Sequence, residues 1–533
     1  MKSKRLLALL LASAMTASAM LAGCGGNDSS SGSGAGGGNT SGASGSSEAA
    51  EGGESSDGYS TEIDMEEEPY TVAIQVVTLP GTDYSAGLAN REAAINAIIE
   101  PAINCNIDIQ EVWISEIANT TSMAVAGDEK VDIIHVGTVN ALSSLVGSDI
   151  LLDLNEGNLL QNRGPKLMEL FSETMEAGSV GGRQLAVPAQ VYSANYNGII
   201  YNKTWADEHG IEVPEEMTFE EFSDLLYQVH ETDPDIMPFY TGSGSLGYLP
   251  FFYGYESFGS EASYGAVLNS DEGLTVENLY ASDLFRDYCL QAFHWTQDGI
   301  QPGDPTDTNT AQDYLNSQAL FCTPGGVGPK EQVSFGSAAA SAGFEIGVSR
   351  MTETRETNAT VTQYMWGIAV NCERPDKAMD LLNYIYTDAN VANILLYGLE
   401  GENYEFAEGS DRVIVANGTY EPGFLIVGDE SQMLIKSPAG EDYIDQLQAL
   451  KDSATVSPLV GYMFDDTNFQ TESSVIYSTI QEYLPRLQNG MCDSEQATLD
   501  LIDEFVARLD AAGINEVIAA NQEQLDAYLA EQE

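Results

Sequence analysis

The chain has 533 residues, 43% of them apolar, and carries 20 Lys+Arg against 82 Asp+Glu, a formal net charge of −62. A body this acidic repels phosphate backbones and anionic headgroups, which argues against nucleic acid or a charged bilayer surface as partners. The length exceeds what one core ordinarily organises, so two or more lobes are expected.

The first element is a leader. Lys2, Lys4 and Arg5 precede the mostly apolar run Leu6–Leu21, which is too short and too rich in Ala and Ser for a membrane span and has the form of a secretory signal. It ends in Leu21-Ala22-Gly23-Cys24, a stretch that resembles the lipobox of bacterial lipoproteins. That resemblance implies cleavage before Cys24 and diacylation of its thiol, and two acyl chains anchor stably where one is marginal. Losing the leader would take the cations from 20 to 17 and the net charge to −65. Between Gly25 and Ser60 there are 12 Gly and 11 Ser, a composition that cannot bury a core. Over about 40 residues such a tether reaches roughly 35 Å. Residues 1–23 are therefore read as signal peptide and 24–67 as lipidated cysteine and tether. The expected location is the extracellular face of the cytoplasmic membrane.

The body opens with a predicted strand, Tyr70–Val77, and a turn-rich loop containing Pro80, Gly81 and Gly87. A helix with Ile95, Ile98, Ile99 and Ile103 at helical spacing follows. Asn106–Ile114 alternates as a second strand, Ser115–Lys130 is helical, and Val131–Gly137 is a buried-strand run. Strands separated by helices imply a parallel sheet with covering helices, an α/β class. A strand ending at Pro188 leads through an extended segment to the strand Gly198–Lys203. Thr218 and Glu221 occupy capping-box positions before a helix with Phe219, Phe222, Leu226 and Val229 on one face. Gln318–Gly326 and Tyr364–Asn371 are further apolar runs, Arg374–Phe406 is helical before it breaks at glycines, and the end from Glu472 is almost all helix. Ile502, Phe505, Val506 and Leu509 form one stripe there.

No catalytic constellation emerges. The four histidines, His135, His209, His230 and His294, form no HExxH, and neither a G-x-S-x-G elbow nor a Walker A motif occurs. Gly242–Gly247 fits GxGxxG but lacks the βαβ context. Asp298, Asp304, Asp307 and Asp313 lack the ligand order of an EF-hand, so a solvated loop with helix caps is preferred to calcium. Cys105, Cys289, Cys322, Cys372 and Cys492 are odd in number without CxxC, which points to buried free thiols. No cofactor is expected. A tethered glycoside hydrolase needs only two carboxylates, so it stands as the rival from another class.

The order of elements resembles the extracellular solute-binding proteins of carbohydrate ABC importers. The resemblance rests on VDIIHVG (131–137), GGRQLAVPAQVYSANYNGIIYNKTWADEHGI (181–211), TFEEFSDLL (218–226) and RPDKAMDLLNYIYTD (374–388). LLYGLEGENYEF (395–406) and AAGINEVIAANQEQLDAYL (511–529) are similar to a lipoprotein subgroup catalogued as a domain of unknown function. The family implies two α/β lobes of the type II periplasmic-binding-protein kind with three hinge crossings, set here near Pro188–Tyr192, Cys322–Pro324 and Tyr364–Gly367. The lobes would be 68–189 plus 323–365 and 190–322 plus 366–533. It also implies a monomer that closes on a small solute, with an oligosaccharide favoured, and delivers it to permease subunits without turning it over. Peptides or other non-sugar solutes are the alternative cargo. By position in that fold, cleft residues would be Asp83, Tyr84, Thr138, Asn140, Gln190, Tyr192, Tyr240, Ser243, Tyr364, Trp366, Phe464 and Asp465, with Tyr192 and Trp366 as aromatic plates for the sugar's C–H face. Trp113, Trp205 and Trp295 are read as packing residues.

Overall fold

β-branched runs decide the first elements. In the computed structural model, which describes residues 58–79, 85–240, 249–301, 309–420, 422 and 425–532, β1 (Tyr70–Thr78) is buried from Val72 onwards, as a strand covered on both faces must be. α1 (Leu88–Ile103) buries Ile95, Ile99 and Ile103. Asn104 then adopts a left-handed conformation, which ends the helix and turns the chain into β2 (Cys105–Trp113). α2 (Ile117–Ala126) and β3 (Ile133–Gly137) follow, and β1 pairs in parallel with both β2 and β3. β4 (Val187–Pro188) is short and lies at the sheet edge, where a proline that cannot donate is tolerated.

The chain then leaves this sheet. β5 (Asn197–Asn202) lies at the centre of a second sheet. α3 (Phe219–Thr232) starts at the capping box, with Thr218 and Glu221 satisfying each other's backbone N–H, and buries Phe222, Leu226 and Val229. β6 (Met237–Phe239), α4 (Asp283–Gln297), β7 (Leu320–Gly326), α5 (Pro329–Ala342) and β8 (Ile346–Arg350) complete the unit. The second sheet runs β8-β5-β7-β6. A single turn, α6 (Asn358–Val361), precedes β9 (Tyr364–Ile368). β9 returns to the first sheet between β3 and β4, antiparallel to both, which gives the order β2-β1-β3-β9-β4.

The remaining helices divide between the two cores. α7 (Pro375–Ile385), α8 (Ala389–Tyr397) and α9 (Tyr443–Ser453) place Leu381, Leu382, Leu395 and Leu447 in one core with Ile74, Ile99 and Ile133. α10 (Gln470–Gln488), α11 (Glu495–Ala511) and α12 (Ile514–Gln532) place Ile480, Phe505, Leu509 and Val517 in the other, with Phe222, Phe239 and Trp295. Two of the expected crossings are therefore corrected. Cys322–Pro324 is the middle of β7, paired to β5 on one side and β6 on the other. Tyr364–Gly367 is likewise interior to β9. Both are apolar runs whose backbone groups are satisfied inside a sheet. Consequently the strand segments 323–326 and 346–350 belong to the second lobe, and the helices of 375–453 to the first.

Side-chain burial corrects two of the four tryptophan readings, Trp366 and Trp113, while Trp295 and Trp205 pack as expected. Trp366 is only 1% exposed and packs in the first core, its indole N–H donating to the carbonyl of Ile426 at 3.2 Å. Trp295 is fully buried and donates to the Ser223 hydroxyl at 3.0 Å. Trp205 packs against Phe321 and stacks on His209. Trp113, expected to pack, is 51% exposed at the last position of β2. All five body cysteines are free and buried, and burial pushes the Cys105 thiol up to about 12, out of the reactive range.

Because Trp366 fills a closed core, Trp366→Ala should lower the unfolding free energy of the unliganded protein by about 3–5 kcal/mol. Denaturant titration without any solute measures this. A change under about 1 kcal/mol would show the ring to be a cleft residue after all.

Candidate functional site

Three segments join the lobes, and they are bonded to one another. The first runs from Pro188 to Asn197, the second from Arg350 to Tyr364, and the third follows α9. Asn195 and Arg355 exchange both backbone hydrogen bonds, at 3.1 and 2.9 Å. Arg355–Glu356 pairs in parallel with Thr455–Val456, with Thr455 N–H on the Thr354 carbonyl and Ser457 N–H on that of Glu356. Side chains reinforce the join. The Ser193 hydroxyl donates to the buried Glu356 carboxylate at 2.7 Å, and the Ser457 hydroxyl donates to Glu256 at 2.6 Å. Burial raises the Glu256 carboxyl above its ordinary range.

A cavity of about 270 Å³ opens beside this join, near the lower end of small-molecule sites, roughly 300–1,000 Å³. One wall is Gly137, the last residue of β3, together with Thr138, Ala141 and the first residues of the short helix Leu142–Gly147. The floor is α6 and Thr362–Gln363, and the far wall is Gly461–Met463 from the second lobe. Close approach fixes the geometry. Gly137 has φ +140°, and a Cβ there would lie 2.2 Å from the Gln363 carbonyl oxygen, so only glycine lets β3 meet the second crossing. The Asn358 side chain bridges to the opposite wall, donating to the Tyr462 carbonyl at 3.1 Å and accepting from Gly461 N–H at 3.2 Å. Ala177, Val361 and Val460 form a small apolar node just beneath.

On the other side of α6 lies a smaller cavity of about 50 Å³, with Gln190, Tyr192, Asn195, Lys330, Glu331, Gln363 and Leu447 among its walls. Here both lobes grip the first crossing. Lys330, in the first turn of α5, donates to Glu430 and Gln190 at 2.8 Å and to the Tyr192 carbonyl at 2.9 Å. From the first lobe, Lys451 donates to the Val191 carbonyl at 2.9 Å, and Glu430 accepts from Tyr192 N–H at 3.1 Å. Neighbouring Glu331 accepts from the Asn195 amide, and burial raises its carboxyl above the usual value.

Comparison with known proteins accords with this architecture. A family model described as a domain of unknown function (DUF3502) matches residues 458–530, the third crossing and the helices beyond it. A carbohydrate ABC transporter substrate-binding protein of Streptococcus pneumoniae serotype 4 (strain ATCC BAA-334 / TIGR4) is 26% identical over 451 residues, 82% of this chain and 87% of that one. The N-glycan transport solute binding protein NgtS of Streptococcus pneumoniae superposes with a TM-score of 0.74 at 22% identity, covering 87% of this chain and all of the other. The chain has the two-lobe fold of these solute-binding proteins. NgtS in complex with Man5GlcNAc superposes with a TM-score of 0.62 at the same identity, covering 87% of this chain and 99% of that one.

Within this fold the sequence-derived site residues scatter. Thr138 lines the larger cavity, and Gln190 and Tyr192 line the smaller. Tyr192 is nevertheless mostly packed, its hydroxyl bonded to Gln448, and burial pushes it up to about 12. Asp83, Tyr84 and Ser243 lie outside the described residues. The others line neither cavity. Asn140 is buried, its amide tied to the His135 carbonyl. Tyr364 and Trp366 contact the His135 ring edge-on. Tyr240 packs on Tyr314 and donates to the Asn309 carbonyl. Phe464 turns inward against Tyr264, and Asp465 caps a turn by accepting from Thr467. The cavity instead takes Gly461–Met463, just before that pair, and Thr362–Gln363, just before β9. Of the aspartates weighed for calcium, Asp313 closes a capping box with Thr310, Asp298 accepts from Tyr227, and Asp304 and Asp307 are not among the described residues.

His135, behind the β3 wall, gives this region a pH dependence. Burial lowers its imidazole from the ordinary 6.5 to about 4. The unfolded chain takes up that proton near pH 6.5 and the folded one does not, so stability falls as pH drops from 6.5 towards 4, by about 3 kcal/mol. Denaturant midpoints at both pH values should show a smaller loss for His135→Gln than for the parent. Equal losses would mean that His135 is not held neutral.

Proposed function

We propose that the protein is the membrane-tethered receptor of an ABC importer, capturing an oligosaccharide between its lobes and presenting it to the permease subunits. The observation that carries this is the 270 Å³ cavity, walled by both lobes at three mutually bonded crossings. Its walls offer hydroxyls (Thr138, Ser143, Ser179, Thr362), amides (Asn358, Gln363) and the apolar faces of Leu142, Met365 and Met463. Sugars present hydroxyl rims and C–H faces, and these groups match both. The 26% identical relative named for carbohydrate transport and the NgtS complex with Man5GlcNAc support the same cargo class. Release rather than turnover follows from the proposal, because a carrier must hand its cargo on intact.

Thermal-shift measurement against mono- and oligosaccharides, Man5GlcNAc included, tests the cargo. A binder at a hundredfold excess over its Kd should stabilise by about 2.7 kcal/mol. Gln363→Ala, which removes an amide from the walls of both cavities, should weaken that binder about fivefold, the worth of one hydrogen bond near 1 kcal/mol, and leave unliganded stability unchanged. If no saccharide shifts the transition, the cargo assignment fails.

The anchor is tested separately. With Cys24→Ala the protein should appear in the culture medium or remain unprocessed, while the parent fractionates with membranes and yields to detergent. A mutant processed and retained like the parent would remove the lipid from the proposal.

A further inference from the structure

The distribution of charge says which glycans this site admits. Among the described residues, none that lines the 270 Å³ cavity is Asp, Glu, Lys, Arg or His; all are hydroxyl, amide or apolar. The cation lining the smaller cavity, Lys330, has its ammonium held by Glu430, Gln190 and the Tyr192 carbonyl. Nor does the rest of the chain hold a cation in reserve. After the leader there are 17 Lys and Arg, and every one falls among the described residues. At least 13 of them make ion pairs with carboxylates. Arg412, Lys451 and Arg486 donate to backbone carbonyls, and Lys436 is also engaged. Beyond residue 57, the segments outside the description contain Asp83, Asp304, Asp307, Glu421 and Glu533 and no cation.

We propose that the site selects electrically neutral glycans and rejects those bearing uronate, sialate or sulfate groups. This rests on the oligosaccharide reading above. A carboxylate carried into the cavity would lose its water and meet no cation, and an unpaired buried charge is costly. Before contact it would also approach a strongly acidic body, whose field opposes anions.

The test is a binding survey of the mature protein against an array that pairs each neutral glycan with its sialylated or uronate-bearing counterpart, followed by calorimetry on the best pair. The neutral member should bind, and one added carboxylate should weaken it at least tenfold at low salt. Thr138→Lys, which places an ammonium on the cavity rim, should narrow that gap by raising affinity for the acidic member. Acidic members that bind the parent as tightly as their neutral partners, or more tightly, would overturn the selectivity and leave saccharide capture standing. Silence across the whole array, neutral members included, would overturn saccharide capture itself and this inference with it.

Discussion

The whole arrangement depends on one short set of backbone hydrogen bonds, those that join Asn195, Arg355 and Thr455 at the waist of the molecule. Three chain segments must lie side by side there for either lobe to close. β9 reaches the first sheet only because the second crossing turns through α6, and α10–α12 reach the second core only because the third crossing runs back alongside it. The bonds are strand-like, and the paired segments Arg355–Glu356 and Thr455–Val456 form a two-stranded sheet of only two residues each. They hold the lobes in register and leave the side chains around them free to form walls. Ser193 and Ser457 each give a hydroxyl to a glutamate at this waist, which satisfies polar groups that a buried junction otherwise leaves costly.

Much of the fold is legible from residue pattern, because period and capping are local. Ile95, Ile99 and Ile103 announce α1, Thr218 and Glu221 announce α3, and the stripe Ile502, Phe505, Leu509 announces α11. The crossings are not legible in the same way. Thr352–Gln363 is polar, has no period and contains one helical turn, so nothing in it outranks the apolar runs on either side. Those runs, Cys322–Pro324 and Tyr364–Gly367, are where a junction is expected if apolar extended chain is equated with passage between lobes. Backbone satisfaction argues the reverse, since an extended apolar segment is most stable inside a sheet.

The site residues show the same division between local and distant information. Thr138, Gln190 and Tyr192 lie next to strand ends, and strand ends can be read from pattern. Trp366 and Tyr240 are large rings that a sugar site invites by chemistry, but both are claimed by cores whose other members lie far away in sequence. Gln363 and Asn358 have the opposite character. They are small polar residues with no motif around them, and their role is visible only once β3 and Gly461–Met463 are brought to either side of α6. Burial competes with display for every aromatic side chain, and a linear sequence does not say which wins.

The waist also dictates an order of assembly. The second lobe is built from pieces separated by some of the longest intervals in the chain, since Gln522 accepts from Val276 N–H and Asn521 donates to the Tyr264 carbonyl. From the same helix the Tyr528 hydroxyl donates to the Val460 carbonyl at 2.7 Å, bracing the third crossing itself. Contacts over such separations carry a large loop-closure entropy and form slowly. A polypeptide made N-terminus first would present the first lobe's segments, through α9, before α12 is complete. The far wall of the cavity would therefore become rigid last, after the about 70 further residues from Gly461 to Tyr528 had been delivered.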